Sequence, residues 1–198
     1  MTDVLGAVRA HVTTHFAGRG STAEPVGASV TFLGADPIEV LRFGPTDGDV
    51  YHYVSQGCSR YPMADPMDMM ADGVSGLRAE AVLALRGPTP TGLARSIAVL
   101  ASAPAVEGLI LEPGALIDLQ GPVWQGAVFT AFLLGDSEIG EVELPAPYQP
   151  VRILSATPIT ATEAAWVRLK GADAMREAWQ QDGVDVLDQR RRAAEPRA

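Results

Sequence analysis

The chain has 198 residues, 47% of them hydrophobic, which is enough for one domain with a substantial buried core. Its formal net charge of −9 argues against nucleic acid and anionic lipid as direct ligands, because both are negatively charged. No run approaches the roughly 20 apolar residues that cross a bilayer, and no signal-peptide pattern opens the chain. A single cysteine excludes an internal disulfide. We therefore expect a cytoplasmic protein.

The first quarter of the chain predicts one helix followed by three strands. Leu5, Val8, Val12 and Phe16 recur at helical spacing, which predicts an amphipathic helix from Thr2 to Phe16. Three extended runs follow at 28–33, 38–43 and 50–56, with Asp, Pro and Gly residues between them. Three consecutive strands favour an antiparallel arrangement.

The middle of the chain predicts a loop, a strand and a helix. Residues 60–76 show neither the helical nor the strand period, whereas 77–85 alternate as a strand should. On that strand Arg78 and Glu80 share a face, where they form either an ion pair or part of a polar binding surface. A helix is expected to start near Thr91 and to stop before Pro104.

The last third predicts three more strands, at 115–119, 127–134 and 151–156, and one long helix that ends near Gly183. The helix carries an apolar stripe of Trp166, Leu169, Ala172, Met175 and Trp179. Runs 50–56 and 127–134 are apolar on both faces, so helices should cover both sides of the sheet. The prediction is a single α/β (α+β) domain over 1–183, with a central mixed, largely antiparallel sheet. Residues 184–198, including the arginines at 190–192, are expected to form a frayed polar tail.

Four side chains are candidates for chemistry, and none belongs to a complete motif. His11 and His15 are four residues apart on one helix face, a spacing that suits a metal ion, but a third ligand is missing nearby. Cys58 lacks the local arginine and histidine of a nucleophilic cysteine, so we expect a buried small hydrophobe. His52 contributes only if the fold brings it to the others. No Walker loop, dinucleotide fingerprint, nucleophile elbow or metalloprotease motif is present, so no cofactor or metal is expected.

The loop at 60–76 is the best candidate for a partner surface. Methionines repack around varied apolar partners, and carboxylates select positively charged ones. The alternative is that the loop folds inward as core or lid. The residues concerned are Asp65, Asp68, Asp72, Met67, Met69 and Met70.

A third feature is a helix start near the C-terminal end. In 160–163 the sequence Thr-Ala-Thr-Glu matches a capping box, in which Thr160 accepts from the Glu163 amide and Glu163 bonds back to Thr160. Ile159 then occupies the staple position, and Pro158 biases the residue before it towards extended geometry. We interpret this motif as structural.

Three segments resemble the suppressor of fused domain family, in its bacterial single-domain form. They read YHYVSQGCSR at 51–60, GLRAE at 76–80, and LSATPITATE at 154–163 with Gly171 behind it. The second segment departs from the family in having Ala81 where leucine usually follows.

This resemblance implies a suppressor-of-fused-like fold and a non-enzymatic protein that sequesters or neutralises a protein partner. For a bacterial member it further implies an immunity protein against a polymorphic toxin, and the acidic balance suits a basic toxin domain. Two alternatives stay open: an enzyme with a pocket built from His11, His15, His52 or Cys58, and a scaffold or oligomerising domain without a toxin partner. The sequence leaves the oligomeric state undetermined.

Overall fold

Within the part of the chain that the structure describes, seven strands form one mixed sheet, with four helices packed against it. The computed structural model describes residues 2–21, 24–64 and 73–195. The strands are β1 (Val26–Val30), β2 (Ile38–Thr46), β3 (Val50–Gln56), β4 (Arg78–Arg86), β5 (Leu116–Asp118), β6 (Phe129–Val142) and β7 (Val151–Thr160). The helices are α1 (Val4–Ala17), α2 (Leu93–Glu107), α3 (Ala161–Lys170) and α4 (Ala172–Gln181), with a 3-10 turn at Cys58–Arg60.

The order across the sheet is β1-β2-β3-β4-β7-β6-β5. Strands β1 to β4 form an antiparallel meander, and β5, β6 and β7 pair antiparallel with one another. The two halves join where β4 runs parallel to β7, with Arg78 opposite Val151. The predicted mixed, largely antiparallel sheet is therefore confirmed.

Helices cover both faces of the sheet, as the doubly apolar strands predicted. Helix α2 packs on one face over residues such as Leu83, Leu85 and Phe132. On the other face α1 covers Leu41, Val54 and Ile153, while α3 and α4 cover the β6 end of the sheet. Within the described ranges, no helix has the length and apolar character needed to cross a membrane.

The predicted stop of α2 before Pro104 is wrong, because the helix continues through the proline to Glu107. Proline removes a single backbone donor, and here it stands in the last turn, where little helix remains to be disrupted. The true end is Gly108, whose left-handed conformation (φ 67°) lets its amide donate to the Pro104 carbonyl at 3.1 Å.

The single long C-terminal helix predicted from the apolar stripe is also wrong. Gly171 adopts φ 91° and separates α3 from α4. The break rotates the two halves relative to one another, so Leu169 is 73% exposed, whereas Met175 and Trp179 are buried. A strand boundary differs too: β6 extends to Val142, eight residues beyond the predicted end, in a polar stretch that shows no strand alternation.

The tail predicted to be frayed packs against the domain over 184–195. The Arg86 amide donates to the Leu187 carbonyl at 2.9 Å, and Gln189 donates to the carbonyls of Arg86 and Pro88. Arg191 is buried, which corrects the expectation of a solvated basic run. Residues 196–198 lie outside the described part of the chain.

Candidate functional site

A buried carboxylate shapes the turn that follows β3. Glu80 is fully buried on β4, and its Oε1 accepts hydrogen bonds from the Gly57 amide (2.8 Å), the Ser59 amide (2.9 Å) and the Ser59 hydroxyl (2.7 Å). Its Oε2 accepts from the Ser55 hydroxyl at 2.5 Å. Burial raises the pKa of the Glu80 carboxyl, and these hydrogen bonds offset only part of that rise. The turn is therefore fastened to the sheet by one side chain.

Arg78 holds the same turn from its other end. Its guanidinium donates to the carbonyls of Ser59 (2.8 Å), Arg60 (3.0 Å) and Val74 (3.1 Å). The ion pair with Glu80, and the polar binding surface offered as its alternative, are both wrong, because each of the two buried side chains bonds to the turn instead. The Glu80 carboxylate accepts from amides of the turn and the Arg78 guanidinium donates to its carbonyls, so the two groups are not paired with each other.

The fastened turn forms one wall of a groove on the α2 side of the sheet. The groove encloses about 300 Å³ between residues 34–38, residues 57–64 and the end of α2 at 101–106. Tyr61 and Val106 line it and are 60% and 64% exposed, and Leu33, directly before its rim, projects fully into solvent. Exposed apolar side chains grouped in this way mark an interaction surface more often than scattered ones do.

The predicted partner loop begins where this groove ends. Ala64 lines the groove, and the chain continues from it into the methionine-rich acidic segment. The six predicted partner residues, Asp65, Asp68, Asp72, Met67, Met69 and Met70, lie outside the described residues.

Of the four candidates for an enzymatic pocket, His15 and His52 line the same cavity, and His11 and Cys58 do not line it. The ring of His11 makes a hydrogen bond to the Ile139 carbonyl (Nε2 to O, 3.2 Å). His15 and His52 line a cavity on the α1 side of the sheet, whereas Cys58 packs among residues on the α2 side. Burial raises the pKa of the Cys58 thiol well above its usual range, and the Glu80 carboxylate raises it further, which opposes formation of a nucleophilic thiolate. Among the described residues, no three histidine, cysteine or acidic side chains are grouped so as to hold a metal ion.

The predicted capping box is present, and its glutamate also accepts hydrogen bonds from residues that the motif does not include. The Glu163 amide donates to the Thr160 hydroxyl at 3.2 Å, and the Glu163 carboxylate accepts from the Thr160 amide at 2.9 Å. The same buried carboxylate accepts from Arg191 (2.8 Å), the Trp179 indole (3.0 Å) and the Ala194 amide (3.0 Å). Ile159 is fully buried and Pro158 accepts from Arg191 through its carbonyl.

The buried role of Arg191 could not be predicted from the sequence, because no local pattern marks it. The residue stands in a run of three arginines within a polar segment, and such a run is ordinarily solvated. The middle arginine differs from its neighbours in its tertiary contacts: it donates to Glu163 and the Pro158 carbonyl, and its guanidinium lies over the rings of Phe129 and Trp179.

Comparison with known proteins gives one family match and several structural ones. The family model described as suppressor of fused protein (SUFU) matches residues 34–192. A structure described as a SUFU homologue from Neisseria gonorrhoeae superposes with a TM-score of 0.66 at 20% identity, covering 99% of both chains. A structure described as the Sufu-Fu complex gives 0.68 at 15% identity over 96% of this chain and 91% of that one.

Drosophila Suppressor of Fused superposes with a TM-score of 0.69 at 16% identity, covering 96% of this chain and 51% of that one. No curated protein sequence matches this chain. At these identities the structural matches establish the fold, and the family model establishes kinship over most of the chain.

Proposed function

Because the chain belongs to the suppressor of fused family, we propose that it is a non-enzymatic domain that binds and sequesters a protein partner. Support comes from the structural match whose subject is a complex between Sufu and a second protein, Fu. The distribution of the histidines and Cys58 over opposite sides of the sheet supports the non-enzymatic assignment. A nucleophile and its base need to lie within hydrogen-bonding reach.

The observation that carries this proposal is the exposed apolar groove on the α2 side. Tyr61 and Val106 supply apolar area that a partner would bury, and a tyrosine is a frequent anchor of protein interfaces. The wall that presents Tyr61 is fixed by the Glu80 and Arg78 hydrogen bonds, so little conformational freedom is lost on binding.

The finer proposal is an immunity protein that neutralises a basic toxin domain. The net charge of −9 favours a cationic partner, because complementary charge accelerates association. Asp65, Asp68 and Asp72 would steer that partner to the groove, and Met67, Met69 and Met70 would pack against its apolar surface.

Two surface variants test the groove. Val106→Glu places a charge at the groove, and Val128→Glu is the matched control, because Val128 is 59% exposed but does not line the groove. Tagged wild type and both variants are used to capture partners from native cytosol, and each captured protein is quantified by mass spectrometry. We expect one protein to be retained by wild type and Val128→Glu and lost by Val106→Glu. Equal recovery by all three would contradict the groove as the binding surface.

A charge-matched experiment tests the acidic loop once that partner is purified. Replacing Asp65, Asp68 and Asp72 by asparagine should slow association and flatten its dependence on salt, with little change in dissociation. The control removes three charges elsewhere, by converting exposed residues to their amides: Asp47→Asn, Glu112→Gln and Glu177→Gln. Stopped-flow mixing at several salt concentrations measures both variants. The loop is not the docking surface if the two triple variants associate at the same rate.

A further inference from the structure

A second cavity lies on the α1 side of the sheet, away from the groove. It encloses about 260 Å³ between the end of α1, the middle strands of the sheet and the packed C-terminal segment. Its larger apolar lining residues are Phe16, Val82, Ile139, Pro158, Val186 and Leu187. The C-terminal segment that closes one side is held in place by the Arg86 amide and by an ion pair between Arg86 and Asp185.

The strand β7 contributes two unused hydroxyl groups to this cavity. Ser155 and Thr157 are two residues apart, so their side chains point to the same face of the sheet, and both line the cavity. Neither hydroxyl makes a hydrogen bond within the described residues. Both side chains are half-buried, so a ligand can reach them without any rearrangement of the sheet.

The imidazole of His52 adds a hydrogen-bond acceptor to the same cavity. The Thr46 hydroxyl donates to the Val50 carbonyl at 3.2 Å, so it accepts from Nε2–H of His52 at 3.1 Å. This tautomer leaves Nδ1 of His52 as an acceptor. Burial lowers the pKa of His52 and of His15, and the charge of Arg19 lowers both further, which favours the neutral form of both rings.

The shape and size of the cavity favour a single flat side chain. Phe16 is buried between Phe43 and His52, with its ring centroid 4.7 Å from each, so the half-buried His52 ring is the aromatic surface against which another ring can pack. The volume is below the roughly 300–1,000 Å³ of cavities that hold drug-sized ligands. At the rim, Arg19 and Glu138 form a two-hydrogen-bond ion pair that offers both a donor and an acceptor to a peptide backbone.

We propose that this cavity binds a tyrosine side chain presented by a protein segment, with its ring against the His52 imidazole and its phenol bonded to the hydroxyls of Ser155 and Thr157. The site extends the proposed function, since it gives the domain a second protein contact on the face opposite the groove. Tyrosine combines an apolar ring with one polar atom, which matches an apolar cavity whose floor holds unused hydrogen-bonding groups.

Three small probes test the site without any knowledge of the partner. N-acetyl-L-tyrosinamide, N-acetyl-L-phenylalaninamide and p-cresol are titrated into the full chain, and binding is followed through the NMR signals of the His15 and His52 rings. We expect the tyrosine probe to shift both histidines at millimolar concentration. The phenylalanine probe should bind about threefold to tenfold more weakly, because it lacks one hydrogen bond. The cresol should also bind at least threefold more weakly, since it has no backbone to meet the rim.

Two variants and one control complete the experiment. Ala84 lines the cavity, so Ala84→Leu should fill it and abolish the shifts, with folding checked by circular dichroism. Thr157→Val removes the hydroxyl and leaves a side chain of nearly the same shape. It should therefore reduce the difference in affinity between the tyrosine and phenylalanine probes. Ala105→Leu, at the groove on the other face, should leave probe binding unchanged.

The proposal is overturned if the tyrosine probe leaves both histidine signals unmoved, or if phenylalanine binds as tightly as tyrosine. Equal binding of cresol and the tyrosine probe would also overturn it, because the cavity would then be a site for small phenols. None of these results bears on the groove, whose test is partner capture by Val106→Glu, so the two failures are distinguishable.

Discussion

The two fully buried glutamates of this domain, Glu80 and Glu163, differ in how their charge is accommodated. Glu80 is bonded by amides and hydroxyls alone, and burial raises the pKa of its carboxyl. At Glu163 burial also acts to raise the pKa, but the Arg191 guanidinium, with the Thr160 amide and other donors, outweighs it and lowers the pKa. The two pKa values therefore shift in opposite directions, and the hydrogen bond from Arg191 is the largest of the effects that lower the pKa of Glu163.

The difference in chemistry corresponds to a difference in structural role. Glu80 joins β4 to the end of β3 and to the turn that follows it, on the N-terminal side of Glu80 in the chain. Glu163 instead connects a helix start to Arg191 and Ala194, about 30 residues later, and so fastens the C-terminal segment. That segment supplies Leu187 to the cavity on the α1 side, so the Glu163 cluster also maintains the proposed tyrosine site.

The largest effect should come from breaking the charged pair. Arg191→Met leaves the Glu163 carboxylate buried without its cation, which should lower the free energy of unfolding by about 3–5 kcal/mol. Urea denaturation followed by circular dichroism measures it. The matched control is Arg192→Met, since Arg192 is exposed beside it and should change stability by less than about 0.5 kcal/mol.

The double variant Arg191→Met/Glu163→Gln sharpens this result. Removing the second charge should restore part of the lost stability, because an uncompensated buried carboxylate is the main source of the penalty. If the double variant is as unstable as the sum of the two single ones, the pair does not act as a coupled unit.

Neutralising Glu80 should lower the free energy of unfolding by less than Arg191→Met does. Glu80→Gln keeps an acceptor for the Gly57 and Ser59 amides but places an amide group against the Ser55 hydroxyl, at a cost of about 1–3 kcal/mol. Denaturation in urea is again the measurement, with the exposed Glu112→Gln as control. If Glu80→Gln lowers the free energy of unfolding by more than Arg191→Met does, the expectation that the Glu163 cluster stabilises the fold more is wrong.

In both clusters the sequence predicted the patterns of adjacent residues but not the partners that tertiary contacts bring in. The strand of Glu80 and the helix cap of Thr160 and Glu163 were visible, because period-two alternation and capping boxes are patterns of adjacent residues. The partners were not visible. Glu80 meets Ser55 and Ser59 only through strand pairing, and Arg191 meets Glu163 only after α4 has turned the chain back.

The helix errors have a similar physical origin. Pro104 and Gly171 are both helix-breaking residues in isolation, yet only Gly171 ends a helix. Pro104 is tolerated because it stands one turn from the natural end of α2. The groove went unrecognised since it is assembled from three segments, around 35, 60 and 104, that share no sequence pattern.

The contributions of Glu163 and Glu80 to the free energy of unfolding should change with pH in opposite directions. Glu163 has a lowered pKa, so its contribution is present above the unfolded value of 4.5 and is lost as pH falls below it. Glu80 has a raised pKa, so its contribution to the free energy of unfolding is fully present below pH 4.5, the pKa in the unfolded chain. That contribution declines as pH rises through the pKa of the folded protein. The stability difference between wild type and Glu163→Gln should therefore grow with rising pH, and that for Glu80→Gln should shrink.

Urea denaturation of wild type and both variants across the acidic to neutral range measures these slopes. Each should stay below about 1.4 kcal/mol per pH unit, the limit for one titrating group. Parallel slopes for the two variants would show that the two carboxyls titrate alike.

The smallest effect concerns the cap of the Glu163 cluster. Thr160→Ala removes the hydroxyl that accepts from the Glu163 amide but leaves the Thr160 amide bonded to the carboxylate, because that bond uses the backbone. Half of the capping box therefore survives, and we expect a loss of about 1 kcal/mol with unchanged affinity for the protein partner. Thr162→Ala, at the exposed threonine of the same turn, is the control and should be close to neutral. A defect in partner binding without a change in the denaturation midpoint would mean that Thr160 belongs to a contact surface, and the motif would then be functional rather than structural.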